Sequence, residues 1–177
     1  MDMVLKPQDI LILLKLVSLG SRDSSFAALA DSLRMSPSEV HAGLRRAQRA
    51  RLYAEVTRQP IVDNLSEYLI HGVKYSFPAD IGGKTRGMPT SYAAPPLNTQ
   101  IEAGDEPLPP VWPVADGAVA GVSFSPLYKS APAAAALDSQ LYELLCLVDG
   151  IRSGRVREQK IASSLLLQRI KISGRPI

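Results

Sequence analysis

The chain has 177 residues, 46% of them hydrophobic and 21% charged, which is the balance of a folded domain and excludes a wholly disordered tail. A chain of this length buries a core unaided, and its single Cys146 excludes an intrachain disulfide framework or a multi-cysteine zinc site. The net charge of +3 conceals segregation: residues 34–58 carry six arginines against Glu39 and Glu55, residues 59–150 carry ten acidic against four basic residues, and residues 151–177 carry seven basic residues against Glu158 alone. Clustered arginine suits phosphate, although solvated basic helix faces produce the same pattern.

Residues 1–5 lack the basic stretch that opens a signal peptide. Residues 10–19 are too short, and interrupted by Lys15, to span a bilayer. The expectation is a cytoplasmic protein without a membrane segment. A first helix should open at Pro7, where a missing N–H costs nothing, and close near Gly20. Its Ile10, Leu11, Ile12, Leu13, Leu14, Leu16, Val17 and Leu19 are apolar on several sides, so it needs more than one partner surface: both halves of one subunit, or a dimer interface.

A second helix should bury Phe26, Leu29, Ala30 and Leu33 as one stripe. After a short turn at Arg34 and Met35, Ser36 caps a third helix, with Pro37 at its first position and Glu39 placed to close a capping box. Val40, Leu44 and Ala47 make its buried row, and Ser38, His41, Ala42, Arg45 and Arg49 recur on the other side. Residues 64–77 suit a fourth helix, with Gly72 and a β-branched end leaving a strand open. His71 lies in an apolar stretch and is expected to pack.

Residues 78–113 hold eight of the fourteen prolines and four glycines without sustained periodicity, so a long loop or surface ribbon is expected, with the acidic stretch 102–106 as a linker. Within it, the run Gly82-Gly83-Lys84-Thr85-Arg86-Gly87 fails as a nucleotide-binding P-loop because Pro78 stands where the first glycine belongs. It reads as a surface turn, or as a basic loop in which Lys84 and Arg86 reach a flanking groove. Residues 119–124 suit a short strand. Leu137, Leu141, Leu144, Leu145, Val148 and Ile151 mark an amphipathic helix ending near Gly154, and a last helix carries Arg155, Arg157, Lys160 and Arg169.

Three short helices, the second and third joined by a tight turn, have helix-turn-helix spacing. Residues 29–44, with Leu29-Ala30, Leu33, Met35-Ser36, Val40 and Leu44, resemble the core of bacterial winged helix-turn-helix regulators, the broad MarR-like class. Two features depart from that pattern: Arg34 stands where such turns often hold glycine, and no Asn-Gly or Asp-Gly hairpin signal for a β-wing follows Leu52-Tyr53.

The resemblance implies that the third helix enters the major groove of double-stranded DNA. Ser38, His41 and Ala42 would then lie near bases, and Arg45, Arg46 and Arg49 would meet guanine or phosphate. Ser36 and Pro37 would open the helix toward a phosphate. It also implies a homodimer matching a two-fold site.

No catalytic signature is present: neither histidine has metal-ligand spacing, Cys146 sits in a leucine-rich helix, and no cofactor motif appears. Trp112 among prolines either pins a loop to the core or lines a groove.

The expected architecture is mainly α with minor β. It comprises a winged-helix-like helix-turn-helix module at 1–62, a helix with a Gly/Pro-rich stretch at 63–117, and a helical region for dimerisation or partner binding at 118–177. The expected function is a DNA-binding transcriptional repressor, with no enzymatic activity and no cofactor. The alternatives are an antitoxin-like or adaptor module that grips a partner protein, and a repressor that answers a small-molecule effector.

Overall fold

The structure is a computed structural model that describes residues 3–102, 104 and 108–173. It is mainly α with minor β. The order is α1 (Pro7–Leu19), α2 (Phe26–Ser32), α3 (Pro37–Arg49), β1 (Tyr53–Ala54), β2 (Gln59–Pro60), α4 (Val62–His71), α5 (Val73–Ser76), β3 (Ile81–Pro89), β4 (Pro110–Pro113), β5 (Val119–Phe124), α6 (Ala131–Ala136), α7 (Ser139–Ser153) and α8 (Val156–Ser173). Among the described residues, no helix is long and apolar enough to cross a membrane.

Helix α1 is the axis of the molecule. Ile10, Leu11, Ile12, Leu13 and Leu14 are all fully buried, because α3 and the hairpin strand β2 cover one side while α7 and α8 cover the other. Of the two readings of this all-round apolar helix, the structure selects burial between two halves of one chain. Asp138 fastens α1 to the far half: it caps α7 through the Leu141 amide at 3.0 Å and accepts Lys15 Nζ at 2.7 Å and Ser18 Oγ at 2.8 Å. The apolar core is one cluster from α1 to α8, continuous past residues 62 and 117.

Gly72 interrupts the expected fourth helix, which divides into α4 and α5, and His71 ends α4 exposed to solvent instead of packed. Within the loop or surface ribbon expected over residues 78–113, Ile81–Pro89 and Pro110–Pro113 are strands. Strand β3 pairs antiparallel with both β4 and β5, and β4 and β5 pair in parallel, closing a small three-stranded barrel. The glycines of that stretch allow the closure: a Cβ on Gly87 would collide with the Trp112 carbonyl on the neighbouring strand. A proline- and glycine-rich sequence hid a sheet whose strands approach too closely for ordinary side chains. Apart from Glu102 and Gly104, the expected linker 102–106 lies outside the described residues.

A buried polar cluster bolts this barrel to α7. Asp149 accepts Thr90 Oγ1 at 2.6 Å, Trp112 Nε1 at 2.7 Å and Arg152 Nη1 at 2.8 Å. Arg152 also donates to the Phe77 and Ser125 carbonyls at 2.8 and 3.1 Å. Burial pushes the Asp149 carboxyl above its ordinary value even though Arg152 and the other donors pull the other way. Trp112 thus pins the proline-rich stretch to the core, one of its two expected roles. Cys146 beside this cluster is fully buried, and burial pushes its thiol well above the usual value, so it packs as a small apolar side chain.

Candidate nucleic-acid interface

Helix α3 begins as its sequence dictates. Ser36 Oγ accepts the Glu39 amide at 3.2 Å, and Glu39 Oε2 accepts the Ser36 amide at 2.8 Å, so two otherwise orphaned N–H groups are satisfied with Pro37 at the first position. The Ser36 amide first, and then the Ser36 hydroxyl, hold the Glu39 carboxyl below its ordinary value. Val40, Leu44 and Ala47 face inward and are buried. The opposite face is open: Ser38, His41, Arg45, Gln48 and Arg49 are exposed, and Ala42 is half-buried.

Three exposed arginines at backbone turns frame this region. Arg34 between α2 and α3, Arg51 after α3 and Arg58 in the hairpin all have positive φ, at 55°, 60° and 54°. Arg34 therefore occupies the left-handed position that glycine often fills in such a turn. The side chains of Arg34, Arg45, Arg49 and Arg51 make no hydrogen bond or ion pair with any described residue.

Arg46 departs from expectation. It points inward, buried, and donates Nε and Nη2 to the fully buried Asp9 carboxylate of α1 at 2.8 and 2.7 Å. It follows Arg45 directly, and the rotation of about 100° per residue turns it from the open face toward α1. Gly43 makes the same contact close: a Cβ there would stand 2.6 Å from Ile12 Cδ1.

After α3 comes a hairpin that the sequence did not signal. Strands β1 and β2 pair antiparallel, Tyr53 opposite Pro60 and Ala54 opposite Gln59. Arg58 supplies the positive φ expected of Asn-Gly or Asp-Gly, and its amide closes the turn onto the Glu55 carbonyl at 3.2 Å. Arg58 then reaches back to Asp23 Oδ1 at 3.2 Å and the Ser24 carbonyl at 2.9 Å, and lies over the Phe26 ring at 5.0 Å. Phe26, expected in the buried stripe of α2, is partly exposed, with His41 edge-on to its ring at a centroid distance of 6.1 Å.

The second set of expected contacts lies elsewhere. Lys84 is exposed on β3, away from any loop tip, and Arg86 donates Nε to the Gly117 carbonyl at 3.0 Å and Nη2 to that of Ala118 at 2.8 Å. Residues 82–87 are therefore barrel strand, and Arg86 holds the β4–β5 connection. Leu137, expected on the buried stripe of α7, precedes that helix and is 70% exposed.

No family model, curated protein or solved structure matches the chain.

Proposed function

We propose that this protein is a cytoplasmic, DNA-binding transcriptional regulator that reads the major groove with α3. The observation that carries this reading is the open face of α3, where Arg45 and Arg49 stand one turn apart with no partner among the described residues, while Ser38 and His41 lie toward the helix N-terminus. On this reading the N-terminal half of α3 lies near base edges and Arg45 and Arg49 follow it on the same face. Arg45 and Arg49 supply phosphate or guanine contacts. Ser38 and His41 lie near bases, and hairpin β1–β2 acts as a short wing.

Regulation follows by occlusion of a promoter. The regulator acts as a dimer, because one module of this size binds too weakly on its own and a two-fold protein matches a two-fold site. Helix α1 has no apolar face left for that contact. The interface falls to the surface around the start of α7 and the end of α8, where Leu137, just before α7, and Ile172 of α8 are each 70% exposed.

The second reading, a protein-interaction module, is favoured by the start of α8, where Arg155 just before the helix and Val156, Arg157 and Lys160 within it are exposed. Binding of a fluorescent mixed-sequence duplex by the full chain separates the two. The DNA reading expects affinity that falls steeply with salt and is reduced by Arg45→Ala with Arg49→Ala, while an interaction module expects neither.

A further inference from the structure

We propose that the loop joining β5 to α6, residues 125–130, is a second element of the DNA-binding surface, with Lys129 as a sequence-independent phosphate contact beside the first turn of α3. The inference rests on the reading of α3 given above.

The loop belongs to the C-terminal half of the chain, yet it is seated on the candidate reading helix. Tyr128 donates its hydroxyl to Glu39 Oε1 at 3.3 Å, while the other oxygen of Glu39 closes the capping box with Ser36. The loop is held on both sides of this contact: Arg152 grips the Ser125 carbonyl, and Leu127, Ser130 and Ala131 are buried. Flanked by these buried residues, Lys129 is left exposed, its ammonium 5.9 Å from the Tyr128 ring centroid and close enough to Glu39 to favour that carboxylate electrostatically.

The charge arrangement explains what Lys129 adds. A duplex that admits α3 brings a phosphate backbone to each end of the helix. At 1.5 Å per residue the span from Ser36 to Arg49 is about 20 Å, more than the roughly 12 Å width of the major groove, so charges at the two ends face the two backbones that border it. One end carries Arg45 and Arg49. The other carries Glu39, an anion that the cap requires and that would repel phosphate. The Tyr128 hydroxyl meets that carboxylate, and the Lys129 ammonium, nearby but in no ion pair with any described residue, leaves this end of the helix with a cation to offer outward. Tyr128 is a positioning residue in this arrangement, because it ties the loop to Glu39 without facing DNA itself.

The test uses the full chain and a fluorescein-labelled double-stranded DNA pool of mixed sequence, with anisotropy measured across a salt series. Lys129→Gln should weaken binding about threefold to tenfold and lower the salt slope by about 0.9, the effect of leaving one phosphate without its cation. Lys129→Glu should weaken it further. Tyr128→Phe should lower the slope by less than Lys129→Gln does, since it loosens the lysine without removing it. Thermal melting of Lys129→Gln should match the wild type, as the side chain is exposed.

If the wild type binds and Arg45→Ala with Arg49→Ala weakens it, while both Lys129 variants keep wild-type affinity and slope, the loop is only a strut and the inference fails alone. If the wild-type chain binds no duplex at any salt concentration, the reading of α3 fails and takes the inference with it.

Discussion

Arg46 holds Asp9 through two parallel hydrogen bonds of 2.8 and 2.7 Å, a forked ion pair sealed between α3 and α1. It ties α3 to α1, and it sets Arg46 apart from Arg45 and Arg49 of the same helix, which are exposed and bond to no described residue. Removing one partner of a buried pair strands the other charge without water. Arg46→Ala should therefore cost about 3–5 kcal/mol in chemical denaturation, whereas replacing both residues with apolar ones of similar volume should recover most of that loss. Arg45→Ala, on the open face, should shift stability by less than about 0.5 kcal/mol.

Arg34 and Arg51 adopt left-handed backbone conformations that disfavour any side chain with a Cβ. Relief of that strain offsets the extra chain entropy of glycine. Arg34→Gly and Arg51→Gly should leave the melting temperature unchanged or raise it, by at most the equivalent of about 1 kcal/mol. Each should weaken duplex binding by removing a cation. A fall in both stability and affinity would mean that these arginines pack within the fold.

Trp112 Nε1 is one of three donors to the buried Asp149 carboxylate. Trp112→Phe keeps the aromatic surface and removes the donor, so it should destabilise by about 1–3 kcal/mol in urea or guanidinium unfolding. A neutral result would show that Thr90 and Arg152 alone satisfy the carboxylate.

Asp138 joins α1 to α7, and its titration gives a signed expectation. Burial raises its pKa, but Lys15, the Leu141 amide and Ser18 outweigh that and leave the carboxyl below its ordinary value. The folded state therefore binds this proton less readily than the unfolded state. The resulting stability is fully present above the unfolded value of about 4 and is lost as pH falls through the folded one. The stability difference between wild type and Asp138→Asn should stay constant from about pH 5 to 7 and shrink below about pH 4. A difference that instead grows toward acid would reverse the sign.

What could be read in the residues alone follows from how local each signal is. The capping box at Ser36 and Glu39, the buried row Val40, Leu44 and Ala47, and the all-round apolar α1 depend on spacing within one helix, and the structure has them where expected. The orientation of Arg46 depends on Asp9, 37 residues away, and nothing in the periodicity of α3 names that partner. The barrel was illegible because proline and glycine there permit close strand contact, as at Gly87, while imitating a loop. The hairpin was missed because Arg58 takes the place of the expected glycine. The basic count of residues 34–58 marks the region of the proposed interface, but only burial separates Arg45 and Arg49 from Arg46 within it.

The most direct test of the central claim is the anisotropy of a labelled duplex drawn from the DNA upstream of this protein's own coding region, with a scrambled duplex as control. It is measured across a salt series for the wild-type chain and for Arg45→Ala with Arg49→Ala. Major-groove reading by α3 predicts preference for the upstream duplex, a steep salt dependence, and a slope lowered by about 0.9 for each phosphate that the double variant no longer neutralises, with melting unchanged. Equal and weak binding of both duplexes, unaffected by the double substitution, would contradict it.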